Sequence, residues 1–186
     1  MKKILSLIIV LSMALSVVAI MPVSAEDKVI FTDSFEDGME TNWVYNSSRC
    51  DESNTGVSSD YQSDGKNAAY VFDGDDKTYG LKTNPIPATA GTKYTVSGDL
   101  YNVEGIGAKI FLTYVDGSGT RLSSKSVSKA DLGKWLSVSL TETAPANTES
   151  IVVILTGAGA TTGKTYIDNI KITEGAGSFA SSSTAS

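Results

Sequence analysis

Ala108-Lys109-Ile110-Phe111-Leu112-Thr113-Tyr114-Val115 runs directly into Asp116-Gly117, and a second run resumes from Thr120 to Val127. The first run is rich in β-branched and aromatic residues, which favour a strand. Asp and Gly both tolerate the positive φ angles of a tight primed turn, so the two runs read as the arms of a β-hairpin. The same pattern recurs on both sides. Further strands are expected at Val29 to Phe31, Trp43 to Asn46, Ala68 to Phe72, Tyr79 to Thr83, Tyr94 to Asn102, Trp135 to Thr141, Ser150 to Thr156 and Thr165 to Thr173. Asp73-Gly74 is a second hairpin signal, Ala90-Gly91 a looser corner, and Pro145 ends a strand it cannot join. Only Lys129 to Gly133 suggests a short helical turn. Many short strands with regular turn signals, and no long stretch of helical period, predict an all-β sandwich or barrel.

The ends of the chain differ from this middle. Lys2 and Lys3 precede an apolar stretch from Ile4 to Ile20, and Val23-Ser24-Ala25 has the small residues of an export cleavage site. Residues 1–25 therefore read as a signal peptide, with the mature chain starting at Glu26 and secreted. A retained anchor is the rival reading, disfavoured by Pro22 and those small residues. Residues 26–174 form one domain's worth of chain, long enough to bury a core without disulfides. From Gly175 to Ser186 the Gly, Ala and Ser content reads as a flexible linker or tail.

Composition excludes several functions. Histidine is absent, which removes Ser-His-Asp and Cys-His catalysis, the usual zinc sites and a histidine pH switch. With Lys2 and Lys3 gone, the net charge is (15 − 2) − 21 = −8. An acidic surface does not favour nucleic acid or anionic lipid. The single cysteine, Cys50, forbids an intrachain disulfide and sits among Ser, Arg, Asp and Glu, so it is expected on an exposed loop. Residues 47 to 66 are polar and long for a connection. Ala158-Gly159-Ala160-Thr161-Thr162-Gly163-Lys164-Thr165 satisfies a relaxed phosphate-loop template, but a phosphate loop needs a helix to begin at its Lys-Thr. Tyr166 to Ile172 alternates like a strand instead, so this segment is expected to be a hairpin loop.

Several motifs, in order, resemble carbohydrate-binding modules of families 4, 9 and 22. They are Phe35-Glu36-Asp37-Gly38 followed by Trp43, then Gly91-Thr92-Lys93-Tyr94-Thr95-Val96-Ser97, then Thr113-Tyr114-Val115-Asp116-Gly117-Ser118-Gly119. Trp135, Pro145-Ala146-Asn147-Thr148 and Tyr166-Ile167-Asp168-Asn169-Ile170-Lys171-Ile172 complete the series, which spans Val29 to Glu174. Thr32 departs from it, since these modules often carry Asn there. The resemblance implies a jelly-roll β-sandwich of two antiparallel sheets that binds a β-glycan on a concave face or loop edge. It also implies a structural calcium ion (Ca2+), with Glu36 and Asp168 as side-chain ligands. A hard-oxygen, acidic chain without His or thiolate clusters is compatible with that ion.

Sugar recognition needs aromatic faces beside amide and carboxylate groups. Strand alternation puts Asp99 and Tyr101 on one face, with Asn102 beside them, and Tyr114 is expected on the neighbouring strand. Trp43, Tyr45 and Tyr79 offer an alternative loop-edge platform, while Trp135 and Tyr94 are assigned to the core. A glycosidase would need two facing carboxyl groups roughly 5–10 Å apart, and no pair of Glu residues stands out on neighbouring strand centres. The expected protein is a monomeric, non-catalytic module that binds polysaccharide or oligosaccharide, with no nucleic-acid partner and no membrane contact after signal removal. The rival readings are a structural or adhesive sandwich without a sugar site, and a small jelly-roll hydrolase or lyase.

Overall fold

The computed structural model describes residues 27–175 apart from 40, 76, 106 and 158–161. The segment read as a signal peptide, residues 176–186 of the tail and the centre of the phosphate-loop look-alike lie outside the described residues. Among the described residues there are twelve strands and no helix. They are β1 (Lys28–Asp33), β2 (Trp43–Tyr45), β3 (Thr55–Ser58), β4 (Ala68–Asp73), β5 (Gly80–Thr83), β6 (Ile86–Pro87), β7 (Lys93–Asn102), β8 (Lys109–Val115), β9 (Arg121–Ser128), β10 (Trp135–Thr143), β11 (Ser150–Thr156) and β12 (Gly163–Glu174).

Every pairing between these strands is antiparallel. The first sheet runs β10-β7-β12-β4-β3, with β1 also on β12; the second runs β2-β5-β11-β8-β9, with β6 on β11. Consecutive strands repeatedly change sheet, as in a jelly roll, so the fold is the expected two-layer sandwich. The alternating strand β7 shows why. Tyr94, Val96, Gly98, Leu100 and Asn102 face inward and are buried, while Thr95, Ser97, Asp99 and Tyr101 face outward. From the second sheet Leu81, Ile110, Leu112, Tyr114, Ile151, Val153 and Leu155 meet them in one core cluster. Where β12 bulges between Asp168 and Lys171, the layers approach so closely that a Cβ on Gly98 would lie 2.6 Å from Ile170 Cδ1 and 2.8 Å from Ile110 Cδ1. A larger residue there would have to push both isoleucine ends aside.

The local expectations need some correction. The β8–β9 hairpin forms, but its turn spans Asp116 to Gly119, closed by Gly119 N–H donating to Asp116 O at 2.9 Å. The positive φ, 81°, falls on Gly119 instead of Gly117. The Asp116 carboxylate also takes the Ser118 and Thr120 amides, and two acceptor bonds stabilise the longer turn. Asp73-Gly74 closes no hairpin, because β4 and β5 belong to different sheets. The β11–β12 connection likewise changes sheets, so the look-alike segment is a crossover; its strand end, β12, is as read. Lys129 to Gly133 forms no helical turn; Leu132 bridges Asn102 in parallel. Cys50 is buried, 7% exposed, with its Sγ accepting from Gly80 N–H, because the 47–54 loop folds back over Val71 and Tyr79.

Candidate glycan-binding face

The strand register assembles a row of aromatics that no single segment reveals. Trp135 on β10 pairs with Tyr101 on β7, Tyr101 with Tyr166 on β12, and Tyr166 with Tyr70 on β4. All four lie on the outer face of the first sheet. Trp135 and Tyr101 have ring centroids 5.5 Å apart. Gly56 on β3 ends the row, and its missing side chain leaves room for the Tyr70 ring, whose atoms lie 3.0–3.3 Å from where a Cβ would be.

One register step along the strands the row turns polar. Ser137, Asp99 and Asp168 pair across β10, β7 and β12. Asp99 Oδ1 accepts from the Ser137 hydroxyl at 2.6 Å, and a shallow hollow of about 170 Å³ here is lined by Ser97, Asp99, Ser137, Asn169 and Lys171 among others. On the far side of Tyr70 a larger hollow, about 470 Å³, is lined by Ser53, Val57, Ser58, Asp60, Tyr70, Phe72 and Lys164.

The segment 59–67 lies across this face as a strap. Tyr61, 38% exposed, stacks on Tyr101 (centroids 4.5 Å apart) and tilts onto Tyr166 (5.0 Å). Tyr166 is therefore buried by the strap and not by the core, and its hydroxyl donates to Asp60 at 2.9 Å. That bond, reinforced by Ser58 and Lys164, holds the Asp60 carboxyl below its ordinary pKa. The next anchor is Asp168, which is fully buried. Its Oδ2 accepts from Ser63 N, Asp64 N and Ser63 Oγ at 2.8, 3.0 and 3.1 Å, and its Oδ1 from Asn169 N at 2.6 Å. At the far end Glu36 Oε1 accepts the Lys66 and Asn67 amides at 2.8 and 2.9 Å, which lowers its pKa.

The candidate residues divide accordingly. Asp99 and Tyr101 share the outer face, as alternation predicts. Asn102 does not join them. It is buried, its amide serving Ala108 N, the carbonyls of Lys129 and Asp131, and the Thr165 hydroxyl where the chain leaves β7. Tyr114 lies in the opposite sheet, 1% exposed, with its hydroxyl donating to Glu142 O and its ring packed against Tyr94. Burial pushes its pKa up. The loop-edge platform is not assembled either. Trp43 is a core residue against Phe31 and Phe35, its indole N–H bound to Asp33. Tyr79 is 9% exposed and donates to Asp75, and half-buried Tyr45 packs on the same small cluster around Cys50. Tyr94 is core as expected, but Trp135 is not. Tyr61, Tyr70, Trp135, Tyr166 and Lys164 are the members the sequence reading missed. For Trp135 a signal existed: Trp135, Ser137 and Ser139 alternate with Leu136, Val138 and Leu140.

The register also supplies a carboxylate pair that the Glu positions do not. Asp99 and Asp168 face the same side, and one hydroxyl, Ser63 Oγ, donates to both at 2.9 and 3.1 Å. Asp168 is sealed under the strap with both oxygens occupied, so the pair acts as an anchor and cannot reach a glycosidic oxygen in this arrangement. For calcium, the side chains alone do not make a cage: among the described residues no three His, Cys, Asp or Glu side chains converge. The bonds to Glu36 carboxylate fall on Oε1, and a polar cleft of about 400 Å³ lined by Asp33, Glu36, Asp37 and Asp64 among others adjoins it. The residues fit the ion only if backbone carbonyls complete its shell of roughly six to eight oxygens.

No family model matches the chain, and no curated protein matches it. Solved structures do. The CBM22-1 xylan-binding domain of Xyn10C from Paenibacillus barcinonensis superposes with a TM-score of 0.60 at 16% identity, covering 83% of this chain and 99% of that one. A family 16 carbohydrate-binding module superposes with a TM-score of 0.59 at 16% identity, covering 77% and 97%. The enzymatically active domain of tailspike protein 4 of bacteriophage CBA120 gives 0.62 at 12% identity, covering 76% of this chain but only 20% of that one. The chain thus has the jelly-roll fold of the carbohydrate-binding modules of families 16 and 22.

Proposed function

We propose that this chain is a non-catalytic glycan-binding module of an exported protein, with its site on the outer face of the first sheet. One observation carries the reading. Partly exposed Trp135 stands in register with Tyr101, whose face Tyr61 covers, and beside Asp99, Ser137 and Asn169, on a fold that similar structures use as carbohydrate-binding modules. Aromatic faces suit the C–H face of a pyranose, and the adjoining row can both donate to and accept from its hydroxyls. The similarity to a xylan-binding domain makes β-1,4-xylan the first ligand to test. The sequence of residues 1–25, read as an export signal, supports an extracellular role.

Affinity electrophoresis of the secreted chain against soluble xylan, β-1,4-galactan and mixed-linkage β-glucan tests this. At least one polysaccharide is expected to retard the protein, and Trp135→Ala to weaken that binding tenfold or more while leaving the melting curve in place. Phe111, half-buried on the second sheet's outer face, provides the counter-test. Loss of binding in Phe111→Ala with none in Trp135→Ala would move the site to the opposite sheet.

Calcium enters as a second proposal, with a structural role only. Glu36 would supply a side-chain oxygen at the cleft, and carbonyls the remainder. Asp168, expected as the second ligand, has both oxygens taken by Ser63, Asp64 and Asn169 donors and does not line that cleft. Adding calcium after chelation is expected to raise the melting temperature by several degrees, through preferential binding to the folded state. An unchanged melt, with no heat in a titration, overturns it.

A further inference from the structure

We infer that this face holds two separate glycan subsites and that Tyr61 is the partition between them, an inference that rests on the carbohydrate-binding reading above. The first subsite is Trp135, backed by Tyr101, with the Asp99 and Ser137 hollow. The second is the larger hollow at the β3–β4 edge. Phe72 is 39% exposed there, a large ring left in solvent beside the half-buried Tyr70. Lys164 Nζ lies 5.6 Å from the Tyr70 centroid and 3.6 Å from Asp60 Oδ2. Lysine offers donors and Asp60 an acceptor, within one charge-balanced pair at the rim of an aromatic hollow. That combination suits the vicinal hydroxyls of an uncharged pyranose; an anionic sugar would meet Asp60, whose carboxyl Tyr166 keeps ionised.

Tyr61 separates the two. Its ring covers the face of Tyr101 and leans on Tyr166, the two central members of the row. The row crosses four strands, about 14 Å at the usual strand spacing, and a straight glycan laid along it would collide with Tyr61 at its middle. The strap cannot swing aside cheaply, since Asp99 and Asp168 hold Ser63 just beyond the ring. While Tyr61 is seated, each side takes only a short segment or a chain end.

Calorimetry on the full chain with xylotriose and xylohexaose, and with the corresponding β-1,4-galacto-oligosaccharides, tests this. The trisaccharide is expected to bind at two equivalents, one lost in Phe72→Ala and the other in Trp135→Ala. Tyr61→Ala should join the subsites, so that the hexasaccharide binds at one equivalent and about tenfold or more tighter. Tyr61→Ser is the second variant if the first melts early. A single equivalent untouched by Phe72→Ala overturns the second subsite while leaving the carbohydrate reading intact. An unchanged hexasaccharide affinity in both Tyr61 variants overturns the partition. Binding by no glycan here or in the polysaccharide series removes the carbohydrate reading and this inference together.

Discussion

Tyr114→Ala is expected to lower the melting temperature by roughly 6–20 °C. The ring is 1% exposed on β8, inside the second sheet, and packs against Tyr94. Truncating a buried aromatic to alanine typically costs about 3–5 kcal/mol, from lost transfer free energy and the cavity left behind. For a domain of this size each kcal/mol moves the midpoint by roughly 2–4 °C. Total stabilities are about 5–15 kcal/mol, so the variant keeps little reserve and is best recovered at low temperature. The hydroxyl is a minor part: Tyr114→Phe gives up one bond to Glu142 O, about 1 kcal/mol. Tyr101→Ala and Trp135→Ala remove rings from the sheet's outer face and should stay within about 1 kcal/mol of the parent. Thermal melts of the four variants decide it. A Tyr114→Ala protein that melts with the parent yet has lost glycan binding would put Tyr114 back among the ligand contacts.

The contrast between Tyr101 and Tyr114 shows what could be read from the chain. In β7 polar and apolar residues alternate cleanly, so the outward side of Asp99 and Tyr101 followed from period two alone. β8 carries Phe111 as well as Ile110, Leu112 and Tyr114, apolar on both faces, and no pattern says which side is inside. Nor does sequence order say that β7 and β8, which are consecutive, belong to opposite sheets. Asn102 misleads for another reason: its amide is spent on backbone groups where the chain crosses between layers. Trp135, assigned to the core with the other large aromatics, is legible from its neighbours, because Ser137 and Ser139 share its face. The strap is the least legible feature. Ser, Asp, Gly and Gln in residues 59–67 look like any polar loop, and what fixes them is a carboxylate 104 to 105 residues away.

That carboxylate is where the second large effect is expected. Asp168→Asn should destabilise the domain by about 2–4 kcal/mol and free the strap, although it changes one atom. An ionised aspartate only accepts, and Asp168 takes four donors on its two oxygens with no exposure to water. An asparagine must turn its NH₂ either toward Ser63 and Asp64 or toward Asn169, setting donor against donor in both cases. The cheaper choice sacrifices the Asn169 bond and reduces the other three from charge-assisted to neutral strength, about half their former value. One term opposes this. Neutralising Asp168 relieves its repulsion with Asp99, whose Oδ2 shares the Ser63 hydroxyl. That hydroxyl and the two strap amides already screen the pair, so the relief is smaller than the loss of a buried, fully bonded acceptor. Hydrogen exchange separates the terms. The amides of Ser63 and Asp64 should lose protection in Asp168→Asn while those of β8 and β11 open only with the whole domain. With the strap loosened, Tyr61 leaves Tyr101, and Tyr101 and Trp135 should become more accessible to a quencher. Full protection at Ser63 and Asp64, with an unchanged melt, would show that the strap holds without Asp168, and its anchoring would then fall to Asp60, Asp99 and Glu36.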